Sequence, residues 1–310
     1  MTSIELFLNQ TQQVGPLHIW PMRWTGLSSL NYQVPPNIDQ LFFREFDEGD
    51  GPEIGRIEVF NPTAIPVLIP SGWVIGGDLL QVRAFDVSEL VEPMQSVVAG
   101  VSCVEFGRWG EGKTEVDGGR SPLSVQTAGR VFNRNSGLWS IDEETRQQSV
   151  WKRVATLESR SGLRPTNSLQ QIMREDSTSL NIPNSLQSNS RGALKILDGQ
   201  NGILISFEGE PVLLETFSNP KALRATIHST IRSLSFDIDH LEFTATTKGK
   251  VQEFVEAASL GRLTAAQRGL SNMHFLGGGK YVDTSALSDA GGRLLHITAL
   301  NREHRILQEV

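Results

Sequence analysis

The stretch GILISFEGEPVLLETFSN, residues 202–219, reads as two strands around a tight turn, and Pro220 directly behind it opens a helix. Gly202 to Phe207 and Pro211 to Phe217 are short apolar runs, and Glu208 to Glu210 supply the turn between them. Asn219 followed by Pro220 is a helix-start signature, a short polar cap with proline in the first turn. Leu223, Ile227, Ile231 and Leu234 then recur at helical spacing. A hairpin beside a helix, without regular strand–helix alternation, predicts an α+β fold.

Toward the C-terminus, Val251 to Leu260 reads as a further helix closed by Gly261. Lys280 to Leu287 and Arg293 to Leu300 read as a final hairpin across Asp289 to Gly292, with Gly277 to Gly279 as the turn leading into it. On the N-terminal side, Ala193 to Leu197 reads as a strand behind a polar connector. Ser140 with Glu143 forms a capping box, and Val150, Trp151, Val154 and Leu157 continue that helix along one face until Gly162 and Pro165 stop it. A second, weaker helix covers residues 167–174.

Residues 111–138 are rich in Gly, Ser, Asn and Thr and show no period, which predicts a long loop or a poorly ordered segment. Arg120, Arg130 and Arg134 make its later part a local positive patch. The first third is strand-rich. Gly15 to Met22 carries a proline and suits an edge strand. Ile54 to Phe60, Ile65 to Ile69, Leu79 to Leu90 and Ser96 to Phe106 follow at short intervals with Gly and Pro turns, as in a sandwich or curled sheet. The expected organisation is a β-rich domain over 1–110, a loop over 111–139 and an α+β domain over 140–310.

Bulk properties exclude several classes. With 38% apolar residues the chain can fill a core, which rules out wholesale disorder. A net charge of -7 repels polyanions and anionic lipid surfaces, so neither general nucleic-acid binding nor membrane association is expected. No apolar run approaches the ~20 residues a spanning helix needs, and the first residues lack a secretory pattern. Cys103 is the only cysteine, so no intrachain disulfide forms, which fits a reducing, cytoplasmic setting.

The run PVLIPSGWVIGGDLLQVRA (66–84), then VSCVEFGRW (101–109), QQSVW (147–151) and GGGKYVDTSALSDAGGRLLHITAL (277–300), resembles the ARG and rhodanese-phosphatase-superfamily-associated protein family, a domain of unknown function. VSCVEFGRW is the most specific part. The family's Gly-Glu-Glu-Leu stretch is replaced here by Gly72, Trp73 and Val74. Its Gly-Ala-Lys-Gln-Asn-Arg stretch falls on Gly77 to Arg83, where Gln81 and Arg83 match once one residue is inserted. The resemblance implies association with ADP-ribosylglycohydrolases and phosphatases, and so a nucleotide derived from NAD or ADP-ribose as ligand. That implication is genomic context rather than chemistry.

Residue chemistry supplies the candidates. On an extended strand Val101, Cys103 and Glu105 share one face. Cys103 is a candidate nucleophile if a cation such as Arg108 lowers its pKa, and otherwise a small core residue. Glu105 on an apolar strand is costly to bury unpaired, so it is either salt-bridged, to Arg108 or Arg83, or it binds a ribose hydroxyl, holds a metal or acts as general base. Gln81 and Arg83 offer a fork of donors and an amide for a phosphate or carboxylate, or else an exposed polar face. Trp109 could stack on a base or close a pocket, with a core or interface position the commoner alternative for Trp. Gln148 and Trp151 are helix neighbours, with Trp151 in the core. His296, which also fits the resembled family's C-terminal pattern, is the histidine most suited to catalysis, with a structural role the commoner alternative. No His, Cys or Asp spacing matches a metal site, and the glycine pairs lack phosphate-loop context. The two functional expectations are a nucleotide-binding or nucleotide-processing protein, and a non-catalytic binding or assembly module, with a degenerate enzyme as a variant of the second.

Overall fold

The computed structural model describes residues 3–7, 9–35, 40–49, 51–76, 79–107, 119–129, 143–162, 166–175, 194–258, 263–268, 272–278 and 281–308. The N-terminus gives β1 (Ser3–Leu6), β2 (Gln12–Val14) and β3 (Leu17–Thr25). A strand-rich run follows with β4 (Phe42–Asp47), β5 (Pro52–Asn61), β6 (Val67–Ile69) and β7 (Trp73–Ile75). It continues through β8 (Arg83–Phe85), β9 (Glu89–Val91), β10 (Gln95–Cys103) and β11 (Gly119–Arg120). Helices α1 (Leu123–Gly129), α2 (Glu143–Ser161) and α3 (Leu169–Glu175) come next, then β12 (Gly202–Phe207) and β13 (Glu210–Phe217). Helices α4 (Pro220–Ser235) and α5 (Lys248–Ala257) precede β14 (Thr264–Arg268), β15 (Asn272–Gly278), β16 (Val282–Asp289) and β17 (Leu294–Asn301). The class is α+β, as the sequence predicts.

The larger sheet runs β1-β3-β12-β13-β17-β16-β15-β14, with β2 also on β3. Its strands read as continuous apolar runs because both faces are covered. Ile203, Ile205, Leu213 and Phe217 pack with Leu223, Ile227, Ile231 and Leu234 of α4 on one face. Leu204, Leu214, Trp20 and Met22 pack with Val251 and Phe254 of α5 on the other. Each fully buried aliphatic side chain contributes about 1.5–3 kcal/mol of transfer free energy, which outweighs the weak amphipathy of the strands. Asn219 caps α4, its side chain accepting the Lys221 N–H, and Pro220 sits in the first turn.

The second sheet runs β11-β7-β8-β10-β5-β4, and β6 pairs with β9 beside it. Ile57, Val59, Ile75, Phe85, Ala99 and Val101 form the core on one face. Val74, Val82 and Val104 meet Val150, Val154 and Leu157 of α2 on the other. The helical face read from the sequence is thus the buried one, except that Trp151 is only half-buried and Gln148 is exposed.

Several expectations are corrected. The Gly15 to Met22 segment is not an edge strand, because β3 lies between β1 and β12. Pro21 faces Ile203 in that ladder, where burial of the flanking residues on both faces outweighs one missing donor. Within 111–139, residues 119–129 form β11 and α1 rather than loop, because buried carboxylates elsewhere in the chain hold Arg120 and the first turn of α1. Arg120 is itself buried and belongs to no surface patch, whereas Arg130 and Arg134 lie outside the described residues. Of 193–197, residues 194–197 are irregular, since the Gln12 amide takes the place of a strand neighbour by bonding both the N–H and the C=O of Lys195. Gly277 and Gly278 are not a turn but the end of β15, paired with Thr284 and Asp283. Ser140 lies outside the described residues, so the predicted cap is not seen.

Candidate functional site

Four of the sequence-derived candidates converge at the end of the second sheet. Strands β8 and β10 are antiparallel neighbours, and their register sets Cys103 opposite Arg83. Gln81 lies beside them, its Oε1 accepting from Arg83 Nη1 at 2.7 Å. Glu105 closes the group from beyond β10, where it forms a bridge to Ser168 just ahead of α3. Arg83 has no solvent exposure, and Gln81, Cys103 and Glu105 are at most 1% exposed. The pair Gln81 and Arg83 is therefore not an exposed polar face. Glu45 of β4 reaches them there, bonding the Leu80 N–H and Arg83 Nη2.

Each member has a distinct environment. The Glu105 carboxylate accepts from the Val82 N–H at 3.1 Å and the Ser168 hydroxyl at 2.9 Å. These bonds offset the desolvation of a buried carboxylate and tie α3 to β8. Cys103 is bracketed by Gln147 of α2, whose Oε1 accepts the Cys103 N–H at 2.8 Å and whose Nε2 donates to its C=O at 2.7 Å. The thiol donates to the Glu105 C=O at 3.1 Å. Burial pushes its pKa up, against the opposing influence of Arg83, so the resting group is a thiol rather than a nucleophilic thiolate.

Arg83 is the least satisfied member. Its nearest charge partner is Glu45, with Nη2 and Oε2 3.5 Å apart. Its Nε finds no hydrogen-bond acceptor among the described residues. A well-formed Arg–carboxylate contact is about 2.7–2.9 Å and often bidentate, so this buried cation is incompletely neutralised. Arg108 and Trp109, the remaining candidates here, lie outside the described residues. Just before them, Phe106 is 52% exposed and meets Trp151 edge to face at 4.8 Å between centroids.

His296 belongs to a different cluster. On β17 its Nε2 lies 3.0 Å from Glu215 of β13, and its Nδ1 lies 2.7 Å from the Ser88 hydroxyl. Phe217 stacks on the ring at 4.2 Å. Arg120 bonds both Glu215 oxygens, at 2.7 and 2.8 Å, and donates to Thr230 of α4 at 2.8 Å. Its Nε reaches the Ser71 C=O at 3.1 Å, while the Ser71 N–H donates to Ser88. The turn that presents Ser71 requires Gly72, which has φ +77° and lies so close to Gln126 that a Cβ would fall 2.3 Å from its Cδ. Ser88, His296 and Glu215 have the order of a nucleophile, base and acid, but both Glu215 oxygens are held by Arg120 and the Ser88 hydroxyl accepts the Ser71 N–H. The arrangement is a seam between the two large sheets, and beside it His274 of β15 lies 3.3 Å from Glu89 of β9 in the β6–β9 pair.

Glu45, Ser88, Gln147 and Glu215 were not read as candidates from the sequence. The rule that singled out Glu105, a carboxylate on an apolar strand, applies equally to Glu215 within VLLETF. A separate cavity of about 440 Å³ carries Glu208, Glu210, Glu253 and Glu303 against Lys250 and Arg305. Both cations are already paired, Arg305 with Glu208 at 2.6 Å and Lys250 with Glu210, so this cavity is a poor seat for a phosphate. No group of three His, Cys, Asp or Glu among the described residues is placed to hold a metal ion. Nor is any described helix long and apolar enough to cross a membrane.

Fold and site together define an α+β protein in which two antiparallel sheets, joined by a buried ionic seam, carry a polar cluster around one under-neutralised arginine. The chain belongs to the ARG and Rhodanese-Phosphatase-superfamily-associated Protein domain family, whose model matches residues 5–300. No curated protein and no solved structure matches it.

Proposed function

We propose that this protein binds a phosphate-bearing nucleotide of the NAD or ADP-ribose type at the Arg83 cluster. The observation that carries the reading is the state of Arg83, a fully buried guanidinium whose Nε has no acceptor among the described residues and whose carboxylate neighbour stands 3.5 Å away. A buried cation with a weak counter-charge and an idle donor favours an added anion, and the planar guanidinium suits phosphate oxygens. Half-exposed Phe106 beside Trp151 offers an aromatic surface near the same strand end for a base. The association with ADP-ribosylglycohydrolases implied by the family resemblance narrows the anion to that class. A lone, buried cysteine fits the reducing, cytoplasmic setting in which such nucleotides are metabolised.

The reading is of binding first. The raised pKa of Cys103 speaks against thiolate chemistry, and the two bonds accepted by Glu105 favour a positioning role over proton transfer. The test is a thermal-shift titration with ADP-ribose, NAD, AMP and pyrophosphate on the wild-type chain and on Arg83→Lys. A ligand at 100 times its Kd stabilises by about 2.7 kcal/mol, a shift of several degrees. A shift with ADP-ribose or NAD that weakens in Arg83→Lys supports the reading. Silence across the panel refutes it and leaves the assembly-module alternative to be pursued by partner capture.

A further inference from the structure

Resting on that reading, we infer that the Glu45 carboxylate occupies the seat of the ligand's phosphate, as an intramolecular placeholder that the phosphate displaces. The seat consists of the Leu80 backbone N–H and the Arg83 guanidinium. Glu45 Oε1 accepts the Leu80 N–H at 2.6 Å, while Oε2 stops 3.5 Å short of Arg83 Nη2. The carboxylate therefore bonds the backbone donor closely and the charged one only at long range. Arg83 Nε, unpartnered among the described residues and fully buried, is a third donor at the same group. As placed, the Glu45 carboxylate meets the Leu80 N–H and Arg83 Nη2 and leaves Nε without an acceptor among the described residues. A phosphate has a third terminal oxygen for that donor and brings more negative charge to the buried cation.

The position of Glu45 fits displacement. It sits on β4, at the edge of the second sheet, and the β4–β5 register is broken by a bulge between Glu45 and Asp47. Bulges re-aim side chains and recur beside functional sites. Glu45 is also the solvent-side member of the pair, its side chain 14% exposed against none for Arg83. When an anion enters, the carboxylate can turn outward into water at little cost, whereas Arg83 cannot leave.

The experiment is isothermal calorimetry of inorganic pyrophosphate and of ADP-ribose with wild type and Glu45→Gln. The amide keeps an oxygen for the Leu80 N–H and removes the competing charge. Both ligands are expected to bind Glu45→Gln at least about tenfold more tightly than wild type, and Arg83→Lys in that background should abolish the gain. Pyrophosphate binding to Glu45→Gln without ADP-ribose binding supports the seat and refutes the nucleotide class. Equal affinities for wild type and Glu45→Gln overturn the placeholder while leaving nucleotide binding intact. No binding of either ligand to either protein overturns both. Should Glu45→Gln fail to fold, Glu45→Asp, whose shorter side chain withdraws the carboxylate from Leu80, is expected to show the same gain.

Discussion

The Glu215 carboxylate and the Arg120 guanidinium, 95 residues apart in sequence, meet at 2.7 Å with side chains 0% and 1% exposed. Glu215 belongs to the larger sheet and Arg120 to the second sheet, so this contact fastens the two together, with the His296–Ser88 bond beside it. A buried pair of this kind holds position more than it adds net stability, because two ions must first be desolvated.

Removing one partner of the pair should therefore be severe. Glu215→Gln leaves Arg120 buried without its counter-ion and should cost about 3–5 kcal/mol in urea unfolding. The double variant Glu215→Leu with Arg120→Met removes both charges and should lose less than the single one. The seam is also acid-labile. Arg120 and the His296 bond outweigh burial and hold the Glu215 pKa down at about 2, below its usual 4.5. The folded state thus binds this proton more weakly than the unfolded chain does. The contribution is complete above pH 4.5 and is lost as pH falls toward 2, and Glu215→Gln should show a flatter melting profile across that window.

Asp237 should show the opposite sign. Burial raises its pKa to about 6 from 3.8, despite the Ser124 hydroxyl and N–H that it bonds at the start of α1. The folded state here holds the proton more tightly than the unfolded one. Its contribution is fully present below pH 3.8 and declines as pH rises through 6. Asp237→Asn keeps an oxygen for Ser124 and cannot ionise. Its melting temperature relative to wild type should increase from pH 4 to pH 7, and an unchanged difference would show that the carboxyl does not titrate there.

Gln147 and Gln148 should differ sharply despite their adjacency. Gln147→Leu strips both backbone partners from Cys103 and leaves a buried N–H and C=O unsatisfied, at about 1–3 kcal/mol each. Gln148 is exposed and among the described residues bonds Glu144 of its own helix, so Gln148→Leu should change stability by less than about 0.5 kcal/mol. Chemical denaturation of the two variants side by side checks this contrast.

Cys103 should resist modification. A buried thiol with a raised pKa presents little thiolate, and its sulfur is engaged with the Glu105 backbone. Alkylation by iodoacetamide at pH 8 should be slow in the native protein and fast in denaturant. Rapid native labelling would show that the thiol is reachable and revive it as a nucleophile.

Much of the local structure was legible in the chain. Asn219 and Pro220 announce α4 because a side-chain cap and a fixed φ act within one turn of their own residues. The Pro211 to Phe217 run, the final hairpin and the face of α2 follow from periodicities that burial rewards wherever the partner lies. The β11–α1 segment was misread as loop, because Arg120 and Ser124 are stabilised by Glu215 and Asp237, about a hundred residues away. Gly15 to Met22 was misread as an edge for a similar reason, since its ladder partner β12 begins near residue 202. Composition of a short window carries no information about such partners.

At the candidate site the division is the same. The sequence by itself determined which residue types were available on which strand: Gln81 and Arg83 beside each other, Cys103 and Glu105 two apart. Tertiary structure alone decided that these four are buried together and that His296 serves another cluster. It also brought Glu45, from a strand nearly forty residues upstream, onto Arg83. The reason is physical: a charge's cost and use depend on its dielectric surroundings and counter-ion, and strand pairing sets both at a distance that local pattern does not span.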